Sequence, residues 1–156
     1  MNIQIEDWLF QVDVDATFSH TTKNSLDHCE CGYCRNYYTC VDMTYPELRP
    51  FLSQFGVVLE GPSELMPFEP TLMHACYRVQ GKVLRWGQAQ LYADFIPVMV
   101  EAGESGTFLL WVGELALPWC LNEPAEDVVS PANTTEFMER MQEIWFLRHA
   151  EEYVFS

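Results

Sequence analysis

Apolar residues occupy every second position from Phe10 through Val12, Val14 and Ala16 to Phe18, with Gln11, Asp13, Asp15 and Thr17 between them. Period two puts one set on a buried sheet face and the other in water, so the spacing predicts a strand over residues 10–18. The polar stretch from His20 to Asp27 reads as a loop. From about Gly32 to Met43 the period changes. Tyr33, Tyr37 and Val41, or Cys34, Tyr38 and Val41, recur as on the inner side of a short helix. A second helix is signalled by Pro46 at the first helical position, Glu47 in the first turn and Gly56 at the end. Its buried face is Leu48, Phe51, Leu52 and Phe55, and Pro50 marks a tight first turn or a slight break.

Residues 61–70 hold three prolines and read as a loop. Met73, Ala75, Tyr77 and Val79 then alternate with His74, Cys76, Arg78 and Gln80. Gly81-Lys82 predicts a turn into a second strand over Val83–Tyr92, making a hairpin. Two further strands are expected over Ile96–Glu101 and Phe108–Leu115, and an irregular acidic stretch over Pro118–Pro131. Asn133 with Glu136 three residues on forms a capping box. Phe137, Met141, Ile144 and Trp145 continue that helix to about Tyr153. The expected fold is a single α+β domain over residues 1–156: an antiparallel β-sheet, helices mostly on one face, and a C-terminal helix.

Composition narrows the function classes. The chain has 156 residues, and 8 Lys and Arg against 23 Asp and Glu give a net charge of −15. Binding to nucleic acid or to anionic membrane needs cations to neutralise phosphates, so this balance argues against both and favours a basic protein partner. The longest apolar run, Phe95 to Val100, is strand-sized and far short of the ~20 residues of a membrane span. The N-terminal residues carry neither a basic nor an apolar segment of the secretory kind. A reducing, cytoplasmic compartment is expected, where clustered cysteines bind metal or stay as thiols.

Four of the six cysteines, Cys29, Cys31, Cys34 and Cys40, fall within twelve residues. Cys31 and Cys34 have the spacing of a zinc knuckle, with Gly32 permitting a tight turn. Cys29 and His28 are the first choices to complete the ligand set, and Cys40, His20 or a remote His74/Cys76 pair are alternatives. A redox reading places Cys31 and Cys34 at a helix N-terminus beside Arg35, where a thiol is acidified. That reading lacks the preceding strand of the thioredoxin-type setting. A third reading makes the cysteines small apolar packing residues.

The run from Asp27-His28-Cys29 through Cys31 and Cys34 to Arg35-Asn36-Tyr37 resembles that of a family of small uncharacterised bacterial proteins. The segments Tyr45-Pro46-Glu47-Leu48 to Gly56 and Glu114 to Trp119 share the likeness. It implies a bacterial cytoplasmic protein, and no activity or functional residue comes with it.

Other signals are weaker. Asp13 and Asp15 share one strand face that suits a hard cation or plain solvent. No nucleophile elbow, phosphate loop or dinucleotide fingerprint occurs. Trp119, beside an acidic stretch with Glu114, Glu123, Glu126 and Asp127, is expected to be exposed and used in recognition. With no catalytic set in view, the expected function is that of a non-enzymatic acidic protein acting through protein–protein interaction. The alternative is a zinc-binding or thiol-dependent protein centred on Cys29, Cys31 and Cys34.

Overall fold

The first strands run as β1 (Asn2–Ile5) and β2 (Trp8–Val12), followed by helices α1 (Val14–Leu26), α2 (Gly32–Thr44) and α3 (Leu48–Ser53). Then come β3 (Glu64–Glu69), β4 (Leu72–Arg85), β5 (Leu91–Ala93), β6 (Ile96–Ala102) and β7 (Thr107–Ala116). This computed structural model describes residues 1–27, 29–69 and 71–123. The expected C-terminal helix over 133–153 lies outside the described residues, as do His28, Glu126 and Asp127. The expectation of one domain across 1–156 also extends beyond them.

The strands form one antiparallel sheet in the order β1-β2-β4-β7-β6-β5, with β3 added on β4. The fold is α+β, as the patterning predicts. Its core is one continuous sheet face. Phe10 on β2, Ala75, Tyr77 and Val79 on β4, Phe108, Leu110 and Val112 on β7, and Val98 and Val100 on β6 are all buried. Cross-strand register sets Tyr77 opposite Leu110 and Val100 opposite Leu110 on its other side. Helices cover this face. Tyr37 of α2 reaches Tyr77, and Phe55, just after α3, packs edge-on against Phe10 and Phe108.

The strand expected over residues 10–18 is corrected: β2 stops at Val12, and a helix replaces both its second half and the expected loop over 20–27. Asp13 is the reason. Its carboxylate accepts from the Ala16 N–H at 3.0 Å, capping α1, and Asp15 sits in the favourable first turn. The buried face of α1 is polar, Thr17 and Thr21, while Phe18 is 56% exposed. The threonines satisfy loop and strand backbone: Thr17 Oγ1 accepts from Gln80 N, and Thr21 Oγ1 accepts from Val58 N.

The hairpin expected at Gly81-Lys82 is also corrected. β4 runs straight through as a 14-residue strand and changes partners there. Leu72–Gln80 pair with β7, whereas Gly81–Arg85 pair with β2. A Cβ on Gly81 would lie 2.1 Å from the Gln11 carbonyl oxygen, so glycine marks a close crossing and not a turn. On the β4 edge facing β2 and β3, Asp13 N and Ser63 N bond to the Gln80 and Cys76 carbonyls in the gap between those strands.

Residues 61–70, expected as loop, contain β3. Pro67 is tolerated because, among the described residues, β3 pairs only with β4 and ends in a bulge between Pro67 and Glu69. The α2 expectation holds, with Tyr33, Tyr37 and Val41 buried. α3 begins two residues after Pro46, and its end is closed as expected by Gly56 at φ 82°. Gly56 N donates to Ser53 O and Val57 N to Leu52 O, the paired bonds of a Schellman closure.

Candidate metal centre

The link between α1 and α2 carries the cysteines. α2 starts at Gly32 because Cys31 is extended (φ −66°, ψ 161°) while its carbonyl already accepts from Arg35 N at 3.0 Å. Cys31 is therefore the N-cap, Cys34 projects from the first turn, and Cys29 folds back. The Sγ atoms of Cys29, Cys31 and Cys34 all lie within 4.8 Å of one another. Cys29 and Cys31 are exposed and Cys34 is half-buried, so the cluster opens to solvent on one side.

Tetrahedral zinc with Zn–S bonds of about 2.3 Å sets its sulfurs about 3.8 Å apart, so a closure of at most about 1 Å would seat an ion. The three thiols could hold a metal ion. Their protonation differs. The Cys31 N–H donates to Cys29 Sγ at 3.4 Å and holds that thiol below its usual range. Burial first, then the hydrogen bond and charge of Cys31, push the Cys34 thiol well above it. Burial first, and then the three neighbouring cysteines, also raise the Tyr38 phenol.

Positive potential comes from two sources. The first turn of α2 points its N–H groups toward the cluster. Arg35 lies one turn on, where its Nε donates to the Glu30 carbonyl at 2.8 Å and a terminal nitrogen pairs with Glu123. Glu123 belongs to the segment after β7, which lies along α2. Trp119 packs edge-on against Tyr33 at 5.9 Å, and its Nε1 donates to Glu123 O at 2.7 Å. A Cβ on Gly32 would meet the Trp119 ring at 3.5 Å and the Glu123 carboxylate at 3.8 Å. Gly32 thus sits directly beneath the Trp119 ring, at a distance where a methyl group would make an ordinary contact.

Of the ligands expected from the sequence, the described residues bring together Cys29, Cys31 and Cys34. His28 lies outside the described residues. Cys40 turns inward, its thiol donating to Asn36 O at 3.1 Å. His20 sits on α1 against Asn24. His74 is edge-on to Phe68 on β4. None of these three joins the cluster among the described residues. Asp13, which suited a hard cation or plain solvent on a strand face, is instead the cap of α1.

Trp119 departs from expectation. It is half-buried and bonded, and Glu123 beside it is paired with Arg35, so the acidic stretch is partly compensated. More exposed aromatics lie elsewhere, Phe95 at the β5–β6 turn above all at 93%, with Tyr92, Phe18 and Trp86 also exposed. Sequence reasoning also missed Asn36, which is buried and clamps the post-β7 segment. Its Nδ2 donates to Pro118 O at 2.9 Å and its Oδ1 accepts from Cys120 N at 2.8 Å. A lone asparagine on the apolar side of a predicted helix was the available signal. Among the described residues no helix is long and apolar enough to cross a membrane. Compared with protein-family models, curated proteins and solved structures, the chain finds no match.

Proposed function

We propose that this is a metal-binding protein in which Cys29, Cys31 and Cys34 hold one zinc ion at the start of α2. The convergence of the three sulfurs within 4.8 Å carries the reading. Soft thiolates select zinc among the common divalent ions, and the helix start and Arg35 offset the negative charge that three thiolates bring. In this reading His28, next in the chain to Cys29, supplies the fourth ligand, and the ion fixes the α1–α2 link in a structural role. A reducing bacterial cytoplasm is the setting we propose, on the resemblance of the cysteine segment to that of small bacterial proteins.

The test is a zinc titration of reduced protein with a competing chromophoric chelator. One equivalent should bind to the wild type. Cys31→Ser should abolish it, and His28→Ala should weaken it by roughly 10–100-fold while keeping the stoichiometry, on the scale of lost metal-site partners. Equal zinc binding by wild type and Cys31→Ser would refute the site. An unchanged affinity in His28→Ala would leave the site with three protein ligands and an exogenous fourth.

A second reading, association with a basic protein partner, is favoured by one observation. Phe95 is 93% exposed at a hairpin tip of a chain with net charge −15. An aromatic anchor within a negative field suits a basic surface bearing an apolar pocket. A basic protein captured by the wild type and lost from Phe95→Ser, at equal net charge, supports it. An identical set of captured proteins counts against it.

A further inference from the structure

A second pair of cysteines, remote in sequence, meets on the far part of α2. Cys40 is fully buried on its inner face. Cys120 is exposed on the segment after β7. Their sulfurs converge on one atom: the Pro118 carbonyl oxygen lies 3.5 Å from Cys40 Sγ and 3.7 Å from Cys120 Sγ. Asn36, one turn before Cys40, grips the same segment at Pro118 O and Cys120 N. The backbone on either side of the pair is therefore already fixed, and neither sulfur has to travel far to meet the other. Burial, and then the adjacent Cys120 thiol, push the Cys40 thiol up to about 11, consistent with two sulfurs in one small space.

We propose that Cys40 and Cys120 are a dithiol site that closes to a reversible disulfide by exchange with a low-molecular-weight disulfide such as oxidised glutathione. The steps balance without another oxidant. The Cys120 thiol, being exposed, loses its proton to water and its thiolate attacks one sulfur of the small disulfide. The S–S bond of the reagent breaks, one small thiolate leaves, and Cys120 carries a mixed disulfide. Cys40 then loses its proton and attacks Cys120 Sγ, expelling the second small thiol. Two protein thiols are oxidised and one small disulfide is reduced to two thiols. The raised Cys40 thiol makes the second step the slower one near neutral pH and faster as pH rises.

The product would staple α2 to the segment bearing Trp119 and Glu123, both of which rest on Gly32. The proposal does not depend on zinc binding, because neither sulfur belongs to the Cys29, Cys31 and Cys34 cluster. Those three thiols are exposed or half-exposed and compete for oxidant, so the test has to assign the linkage.

Reduced full-length protein is incubated with oxidised glutathione at pH 8, quenched in acid, alkylated, digested and analysed by mass spectrometry. A peptide joining Cys40 to Cys120 is expected, reversed by dithiothreitol and still formed in a protein with Cys29, Cys31 and Cys34 all changed to Ser. Cys40→Ser should accumulate the Cys120–glutathione mixed disulfide that the wild type passes through. If the triple variant does not fold, the wild-type linkage map decides alone. Cys120 left as a stable glutathione adduct in the wild type, or joined to Cys29, Cys31 or Cys34, would overturn the proposal. So would a Cys40 that stays alkylatable only after unfolding.

Discussion

The hydroxyls of Tyr37 on α2 and Tyr77 on β4 are hydrogen-bonded to each other in the core, and both converge on the Leu59 carbonyl. Burial raises both phenols far above their usual range, so each stays a neutral donor. Tyr77 donates to Leu59 O at 2.8 Å, whereas Tyr37 lies 3.5 Å from it. Tyr77 is therefore the direct partner of the carbonyl, and Tyr37 donates to Tyr77.

The two phenylalanine variants should differ for that reason. Tyr37→Phe removes the outer bond and leaves Leu59 O satisfied, costing about 1 kcal/mol. Tyr77→Phe strands the buried carbonyl with only the longer Tyr37 contact and should cost about 2 kcal/mol. Urea unfolding of both variants checks the order. Equal destabilisation would mean that the two hydroxyls share the carbonyl equally.

The zinc reading carries a proton signature. The Cys34 thiol is held protonated well above neutral pH, so a metal that binds its thiolate has to displace that proton. Calorimetric zinc titrations in two buffers of different ionisation enthalpy should report two to three protons released per ion at pH 7, as a three-thiol site would give. Apparent affinity should fall as pH falls from 8 to 6, because protons compete for the same sulfurs. Zinc uptake with no proton release would place the ion on ligands other than these thiols.

The helix α2, the β6 and β7 strands and the Cys31–Cys34 spacing were legible because each rests on side chains whose type matches their place. Tyr33, Tyr37 and Val41 are apolar at helical spacing, and they are buried. α1 was illegible for the opposite reason. Its inner positions are Thr17 and Thr21, buried to satisfy Gln80 N and Val58 N, while the apolar Phe18 faces water. A hydrophobicity pattern cannot register a helix that packs through hydroxyls, and Val14, Ala16 and Phe18 mimicked a strand. Gly81 misled likewise. A glycine needed where β2 crosses within 2.1 Å of its would-be Cβ looks, in sequence, like one needed for a turn. At the site, the clustering of Cys29, Cys31 and Cys34 was legible from local spacing. The meeting of Cys40 with Cys120 depends on tertiary contacts through Asn36 and Pro118, which no spacing encodes.

His74 gives a pH dependence. Burial against Phe68 and Gly113 lowers its imidazole from the usual 6.5 to about 4. The folded pKa is depressed, so between pH 6.5 and 4 the unfolded chain binds the extra proton. The contribution of His74 is complete above about pH 6.5 and is lost as pH falls toward 4. It amounts to roughly 2 kcal/mol after allowing for partial solvent access. The urea midpoint should drop across this window in the wild type. His74→Gln should flatten that part of the profile, and a profile of unchanged steepness would assign the acid sensitivity to other groups.

Gly56 and Gly106 share a φ of 82° but differ in what surrounds them. A Cβ on Gly106 meets nothing within 4 Å, so Gly106→Ala should cost only the left-handed backbone penalty, about 1–2 kcal/mol. A Cβ on Gly56 would lie 2.2 Å from the Val14 carbonyl oxygen, at the start of α1. Gly56→Ala has to pay that penalty and also part α3 from α1, so its cost should exceed 3 kcal/mol, on the scale of severe backbone and packing disruption. Chemical denaturation of the pair separates backbone strain from close approach.

Phe95 is the clearest conflict between residue and conformation. With Asp94 at φ 50° and Phe95 at φ 65°, the β5–β6 hairpin turns through two left-handed residues, the arrangement that favours Asn-Gly. Asp94 has a structural return, since its carboxylate accepts from Glu47 N at 2.9 Å. Phe95 has none among the described residues, and its ring is 93% exposed. Its left-handed backbone costs about 1–2 kcal/mol, and glycine would relieve this at an unfolded-chain entropy cost of about 0.5–1 kcal/mol. Phe95→Gly should therefore stabilise the protein by roughly 0.5 kcal/mol. Phe95→Ala keeps the Cβ and the strain, so it should leave stability unchanged. Urea midpoints for the two variants measure the difference. A Phe95→Ala protein as stable as Phe95→Gly would show that the aromatic ring, and not the backbone, sets the cost of this turn.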